Sequence, residues 1–400
     1  MSVNLFRQTI DYIVLSLPFF LVTLKNAGNI SLMLLVLIGG YLILFKKDRL
    51  RISNELKLFS LISIVYFCVF AFSNYFNNTI SYESYTDLYK KLHFLLIPFL
   101  AISISQTQIS LKQVLISGLV GLFLGVAYQY FQYFHLNNLR PSGLFNANVY
   151  GDILVLYSMF AFILMITQQK LSVRFISLTM FLCGLVGVML TGSRGSMLAL
   201  LVLISMSVFL QFGYGKRNIL IVSISVLSIT VFIALIDPLF IERFILAYHQ
   251  IESWFSGEKL ISSPGERLEF IRAGFLAFLD SPWIGFGMNE SHSIINEYSR
   301  IKFPLQYNHF HNEVINHLVS AGIVGVVVMV AILYAPFHLF KKNLEAKENR
   351  LTALIGLNLV TGFFLFGLTH VTFQQEVINS VWMFYSVYLI SIIKRERKDQ

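Results

Sequence analysis

Two histidines, two asparagines and a carboxylate crowd into Asn308-His309-Phe310-His311-Asn312-Glu313, at the head of a long apolar run. Histidine is the side chain best suited to moving a proton near neutral pH. His309 and Glu313 stand four apart and share a helix face if the helix begins that early. Zinc asks for three or four ligands, and His-x-His with one acid falls short of that. The pattern therefore favours acid/base work by His309 or His311, with Asn312 as a polar neighbour. The plainer alternative is a capped helix start with no chemistry.

Arginines supply the complementary function, the holding of an anion. Arg194 lies in Thr191-Gly192-Ser193-Arg194-Gly195-Ser196, between two apolar runs with almost no loop. An arginine there is costly if it faces lipid, so it should face a polar cavity. The glycines leave backbone N–H groups open to an anion, and a helix starting near Ser196 turns its positive end the same way. The alternative is a snorkelling arginine on a tight turn. Arg267 and Arg272 could together clamp a phosphate or diphosphate, or simply pair with Glu266 and Glu269. Arg140, near Asn146, Asn148 and Asp152, could add positive charge to the same cavity. His370, followed by Gln374, Gln375 and Glu376, could line a polar pocket, although a satisfied interfacial histidine is the commoner case.

The elements that must position these residues follow from composition. Of 400 residues, 56% are hydrophobic and 13% charged, with a mean hydropathy of +0.69. Soluble domains carry about 25% charged residues, so a soluble enzyme and a disordered chain are excluded. Cys68 and Cys183 both lie in apolar runs and build neither a disulfide framework nor a thiolate metal site. Apolar runs of spanning length occur at roughly 10–24, 28–45, 58–73, 92–105, 113–131, 150–167, 175–191, 196–212, 218–236, 313–339, 351–369 and 376–393. The expectation is an all-α polytopic membrane protein of about twelve transmembrane helices.

With the N-terminus inside, Arg7, Lys46, Lys47, Arg49, Arg51, Lys112, Lys216, Arg217, Lys341, Lys342 and the Lys394–Lys398 cluster all fall on the cytoplasmic side. Both termini are then cytoplasmic. The net charge of +9 needs no nucleic acid to explain it. The organisation is nine helices in 1–236, an outer loop in 237–312, and three helices with a basic tail in 313–400. A loop that long, with its own tryptophans and prolines, is usually functional. Ser263-Pro264-Gly265-Glu266 opens a helix with a capping-box pattern. That helix runs through Leu268, Ile271, Phe275 and Leu279 to Asp280-Ser281-Pro282, and its apolar side suits the membrane surface.

The sequence has no P-loop, no dinucleotide fingerprint, no H-E-x-x-H and no G-x-S-x-G. There is no ATP outside the cytoplasmic membrane, so an outer-face enzyme must draw on an activated substrate. A lipid diphosphate fits: arginines neutralise the leaving group and a histidine takes the proton of an attacking hydroxyl.

These features together resemble the bacterial O-antigen ligase and polymerase superfamily. Arg194-x-x-x-Leu198 resembles the ligases' R-x3-L motif. His311 followed by ten residues and Gly322 resembles their H-x10-G motif. Arg267, upstream of Pro282 and Gly285-x-Gly287, stands where that family places a second essential arginine. The resemblance implies a cofactor-free, metal- and ATP-independent glycosyltransferase of a Gram-negative inner membrane, with a periplasmic site. Its donor would be undecaprenyl-diphosphate-linked O-polysaccharide and its acceptor lipid A–core. Arg194, Arg267 and His311 would be catalytic, with Arg140, Arg272, His309 and Asn312 binding substrate. O-antigen polymerases and protein O-oligosaccharyltransferases share the donor class, and no motif reads the acceptor. A transporter or flippase is the alternative from another class.

Overall fold

The computed structural model describes residues 3–24, 26–45, 52–79, 82–220, a few positions between 223 and 231, 239–256, 263–301, 303 and 307–396. Among the described residues the chain is helical, with no strand. Helices α1 (Val3–Thr23), α2 (Ala27–Phe45), α3 (Asn54–Phe76), α4 (Tyr82–Gln106), α5 (Leu111–Phe134), α6 (Ala147–Thr167), α7 (Leu171–Leu190) and α8 (Arg194–Phe212) form the first half. Then come α9 (Leu239–Phe255), α10 (Ser263–Asp280), α11 (Ser291–Tyr298), α12 (Glu313–Lys342) and α13 (Arg350–Gly367). A short 3-10 turn at Thr372–Gln374 leads into α14 (Glu376–Glu396).

Ten of these helices, α2 to α8 and α12 to α14, are long and apolar enough to cross a membrane. The expectation was twelve. The first run is helical, but Arg7, Asp11 and Pro18 interrupt it, and it is not among the ten. The expected span 218–236 lies largely outside the described residues, and the basic segment at 46–51 lies wholly outside them.

An apolar span can face lipid or protein, and α6 and α14 face protein: 89% of each span is inside the protein. α6 packs on α7, α8, α13 and α5, and α14 on α4, α13, α2 and α3. These two form the centre around which the other spans are arranged.

One expected element is built differently. The apolar run from Glu313 is not a single straight span. Ala321 (φ −145°, ψ 20°) and Gly322 (φ 61°, ψ −155°) leave helical geometry and divide α12 into two limbs, 313–320 and 323–342. The second limb folds back on the first: a Cβ on Gly325 would lie 2.8 Å from the carbonyl oxygen of His317. Residues eight apart in a straight helix are about 12 Å apart along the axis, so the chain reverses at Gly322.

The first limb runs in the same sense as α3. Tyr66 meets His317, and further along both elements Ser73 meets Ser320. The loop 282–288 holds the reversal in place. Phe286 N–H and Gly287 N–H donate to the carbonyls of Val319 and Ser320, and Ile323 N–H to that of Pro282. Met288 N–H donates to Asn74 Oδ1 at 2.6 Å.

The 237–312 segment contributes α9, α10 and α11. α10 has the bounds its sequence suggested, but two apolar faces rather than one. Phe270 and Ala277 are buried in a small second core with Ile294, Ile295, Phe310, Ile315 and Val319. The stripe read from spacing lies on the other side, where Ile271, Phe275 and Leu279 are 37%, 50% and 55% exposed, beside Trp283 at 71%.

Candidate functional site

The α7–α8 turn is assembled from its own hydroxyls. Ser193 Oγ and Ser196 Oγ lie 2.8 Å apart, and Ser196 Oγ donates to the buried Asp152 at 2.6 Å. Arg140 closes the turn from outside, donating through Nε to the Thr191 carbonyl (3.0 Å) and through Nη2 to Asn148 Oδ1 (3.3 Å). Arg194 is the first residue of α8, two residues earlier than the sequence suggested. Gly195 permits Thr369 to pack against this helix start: a Cβ there would lie 3.1 Å from Thr369 Cβ. The arginine turn and the segment carrying His370 are therefore neighbours.

Asn312 joins His311 to that same segment. Its Nδ2 donates to the Leu368 carbonyl at 3.1 Å, and its Oδ1 accepts from Ile315 N–H at 3.1 Å, capping α12. Both ends of its amide are thus committed to the protein, and its direct contribution is positional. α12 begins only at Glu313, so His309 and Glu313 do not share a helix face. His309 instead accepts the His311 N–H on Nδ1 at 3.4 Å, with ring centroids 4.2 Å apart. The His311 ring stacks on Phe270 of α10 (5.9 Å, 12°). Its backbone is left-handed, with φ 51°, a conformation that costs a non-glycine residue about 1–3 kcal/mol and gathers at functional sites.

α10 brings Arg267 to the cluster, half-buried and one turn from Phe270. Burial first, and then the positive charge of Arg194, lowers the Arg267 pKa, while Glu266 opposes this. Burial pushes His311 down to about 3, assisted by the charges of His309, Arg267 and His370. Burial likewise pushes His370 down to about 3, with His309 and Arg267 adding to it. Burial lowers His309 as well, with Lys90 and Arg267 in the same direction and Asp87 against it. Arg194, Arg267, His309, His311 and His370 thus lie within electrostatic reach of one another, two cations among imidazoles held neutral. The Nδ1 atoms of His311 and His370 are buried with no hydrogen-bond partner among the described residues.

Arg272 is not on the same side. Five residues along a helix turn it about 140° from Arg267. Its guanidinium holds Glu269 at 2.7 and 3.0 Å and the Tyr298 carbonyl at 2.7 Å. Glu269 also accepts from Arg300 N–H and Trp254 Nε1. Burial raises the Glu269 pKa, but these hydrogen bonds outweigh it and hold the carboxyl below its usual range. The two arginines thus do not form a clamp; Arg272 fastens α10 to the segments before and after it. Arg272→Ala leaves a carboxylate that is 1% exposed without its cation. The expected cost is about 3 kcal/mol, read as a lower melting temperature in detergent, with Arg272→Lys intermediate.

Spacing missed a second set of residues. Lys91 is buried in α4, Tyr66 in α3 and His317 in the first limb of α12. Lys91 Nζ donates to Tyr66 Oη at 2.9 Å, and Tyr66 Oη lies 2.8 Å from His317 Nε2. His317 Nδ1 reaches the Glu313 carbonyl at 2.8 Å. The sequence signal is the lysine pair Lys90-Lys91, which directly precedes the apolar run at 92–105. Among the described residues no three His, Cys, Asp or Glu side chains gather as a metal site.

The depressed histidines predict an acid limb in stability. A histidine whose folded pKa lies below its unfolded value of 6.5 stabilises the fold above that value, and the contribution is lost as pH falls toward 3. The melting temperature should therefore drop between pH about 6.5 and about 5, before most carboxylates titrate. The His311→Asn/His370→Asn protein should show a flatter limb in the same scan.

The arginine turn, α10 and the two histidines all fall in one stretch that known proteins share. Residues 178–330 match the family model described as O-antigen ligase. The match spans less than half of the chain. It covers Arg194, Arg267, His309, His311 and Gly322, while Arg140 and His370 lie beyond it. An uncharacterized protein of Haemophilus influenzae is 25% identical over 186 residues, which is 44% of this chain and 47% of that protein. The chain spans about half the length of the curated relative it matches. Its ten helices long and apolar enough to cross a membrane, counted among the described residues, make it a multi-pass membrane protein.

Proposed function

We propose that this protein is an O-antigen ligase. It transfers O-polysaccharide from undecaprenyl diphosphate to lipid A–core at the periplasmic face of the inner membrane, with both termini cytoplasmic. The observation that carries this reading is geometric: Thr369 packs on Gly195 beside Arg194, Asn312 bonds the His370 segment beside His311, and His311 stacks on Phe270, one turn from Arg267. A cluster of cations beside neutral imidazoles suits a reaction that releases a diphosphate and accepts a proton.

In a single displacement, the acceptor hydroxyl oxygen attacks the anomeric carbon and the bond to the diphosphate oxygen breaks. The anomeric configuration inverts. His311 takes the hydroxyl proton, and Arg194 and Arg267, aided by Arg140, stabilise the negative charge on the leaving group. His309 already uses Nδ1 to accept the His311 N–H, which makes it the positioning partner of the pair. The charges that depress His311 are those a bound diphosphate offsets. Donor binding therefore raises the basicity of His311 when a base is needed.

The transporter reading draws less support. The buried charge at Lys91 donates to Tyr66 Oη and lies over the Tyr66 and Phe70 rings, with no exposure to solvent. Two grooves of about 360 and 440 Å³ have almost wholly apolar walls.

The test is transfer by purified protein in vitro, with EDTA and without nucleotide. Glycan arriving on lipid A–core is the expected result. Lengthening of carrier-linked glycan would replace the ligase with a polymerase, and delivery to Ser or Thr of a protein would replace it with an oligosaccharyltransferase. Movement of intact donor across a vesicle membrane without transfer would establish a flippase.

A further inference from the structure

Glu313 is 3% exposed and accepts on Oε2 from Thr372 Oγ1 and from Phe373 N–H, both at 3.1 Å. One carboxylate thus ties together two segments, one carrying His311 two residues before it and the other carrying His370 two residues before Thr372. Gly367, on that second segment, lies directly against it: a Cβ there would be 3.0 Å from Glu313 Cβ. A carboxylate taken out of water at this depth needs a compensating charge.

That charge lies on Lys91, three links away. His317 Nδ1 faces the Glu313 carbonyl, so this nitrogen donates and Nε2 accepts from Tyr66. Tyr66 oxygen in turn accepts from Lys91. Every hydrogen bond in the chain then points one way, from the ammonium toward the base of α12. Oε1 of Glu313 also lies 3.3 Å from His317 Nδ1. Lys91 rests over the faces of Tyr66 (4.9 Å) and Phe70 (4.2 Å), which stabilises a cation without water.

We propose that Lys91, Tyr66, His317 and Glu313 form one charge-balanced positioning unit, which holds His311 and His370 in register with each other. The unit lies behind the histidines, and its functional consequence rests on the transferase reading above.

The experiment is a double-mutant cycle on the full-length protein in detergent, with Lys91→Met, Glu313→Gln and both together. Each variant is read by melting temperature, by transfer rate, and by diethyl pyrocarbonate labelling of His309, His311 and His370 resolved by peptide mass spectrometry. Glu313→Gln keeps an acceptor for Thr372 and Phe373 but leaves Lys91 unbalanced; Lys91→Met does the converse. Each single change should slow transfer by at least about tenfold, in kcat more than KM, lower the melting temperature, and change the labelling ratio of His311 to His370. The double variant should recover most of all three, because coupled pairs deviate from additivity by up to about a hundredfold. Losses that multiply in the double variant would overturn the proposal, as would single variants with unchanged histidine labelling. If the parent itself transfers nothing, the transferase reading fails, while melting and labelling still decide whether the unit exists.

Discussion

The His311→Asn protein is expected to fold and to transfer glycan about 100- to 10,000-fold more slowly than the parent, the range for loss of a general base. Asparagine is the informative replacement because it tolerates the left-handed backbone this residue adopts. Alanine would add backbone strain to the chemical defect. The rate should fall in kcat, since the group acts on a proton in flight rather than on substrate at rest. Arg267→Ala should cost about 100- to 1,000-fold, the range for removal of one charge-stabilising donor. Arg267→Lys should recover little, because a lysine cannot offer the planar fork that grips two phosphate oxygens. Initial rates on carrier-linked glycan, with melting curves to show that each variant is folded, check all three. A His311→Asn rate within threefold of the parent would remove His311 from the mechanism.

The second large effect lies away from the chemistry. Gly322→Ala is expected to destabilise the protein by about 3 kcal/mol or more, and to be recovered poorly from membranes. Its φ and ψ, 61° and −155°, fall where only glycine is at ease. A Cβ there would also sit 2.5 Å from the Trp283 carbonyl oxygen. Neither side can yield, because Ile323 N–H is bonded to Pro282 and Phe286 N–H to Val319. Gly285, at φ 65°, faces the same backbone from the opposite strand of the contact, so Gly285→Ala should behave alike. Fluorescence-detected size exclusion and thermal melts measure both. A Gly322→Ala protein with the parent's melting temperature would mean that the reversal is not fixed by backbone geometry.

Much of the site was legible because it rests on local chemistry. An arginine between glycines at a helix start, a helix from Ser263 to Asp280, and a histidine pair before an apolar run are all short-range signals. What stayed hidden depends on distant partners. Hydropathy registers 313–342 as one long apolar run, since a reversal at Gly322 changes no residue's polarity. Arg272 read like a second phosphate ligand until Glu269, Tyr298 and Arg300 came into place around it. Lys91 carries no local signal because its balancing carboxylate is more than 200 residues away. His370 looked like a satisfied interfacial histidine, and only the approach of Thr369 to Gly195 brings it to the arginines.

The contact between Tyr66 and His317 joins residues 251 apart in sequence, and that between Ser73 and Ser320 residues 247 apart. Pairings so distant are made late, after the loop-closure entropy has been overcome. During synthesis α3 and α4 enter the bilayer long before the first limb of α12 exists. Lys91 must therefore wait in the membrane without Glu313 while most of the chain is made. The order of manufacture thus makes the candidate site its last part to mature. A nascent chain arrested before residue 313 should contain an ammonium still accessible to water and open to amine-reactive reagents, and that accessibility should vanish once α12 has turned back at Gly322.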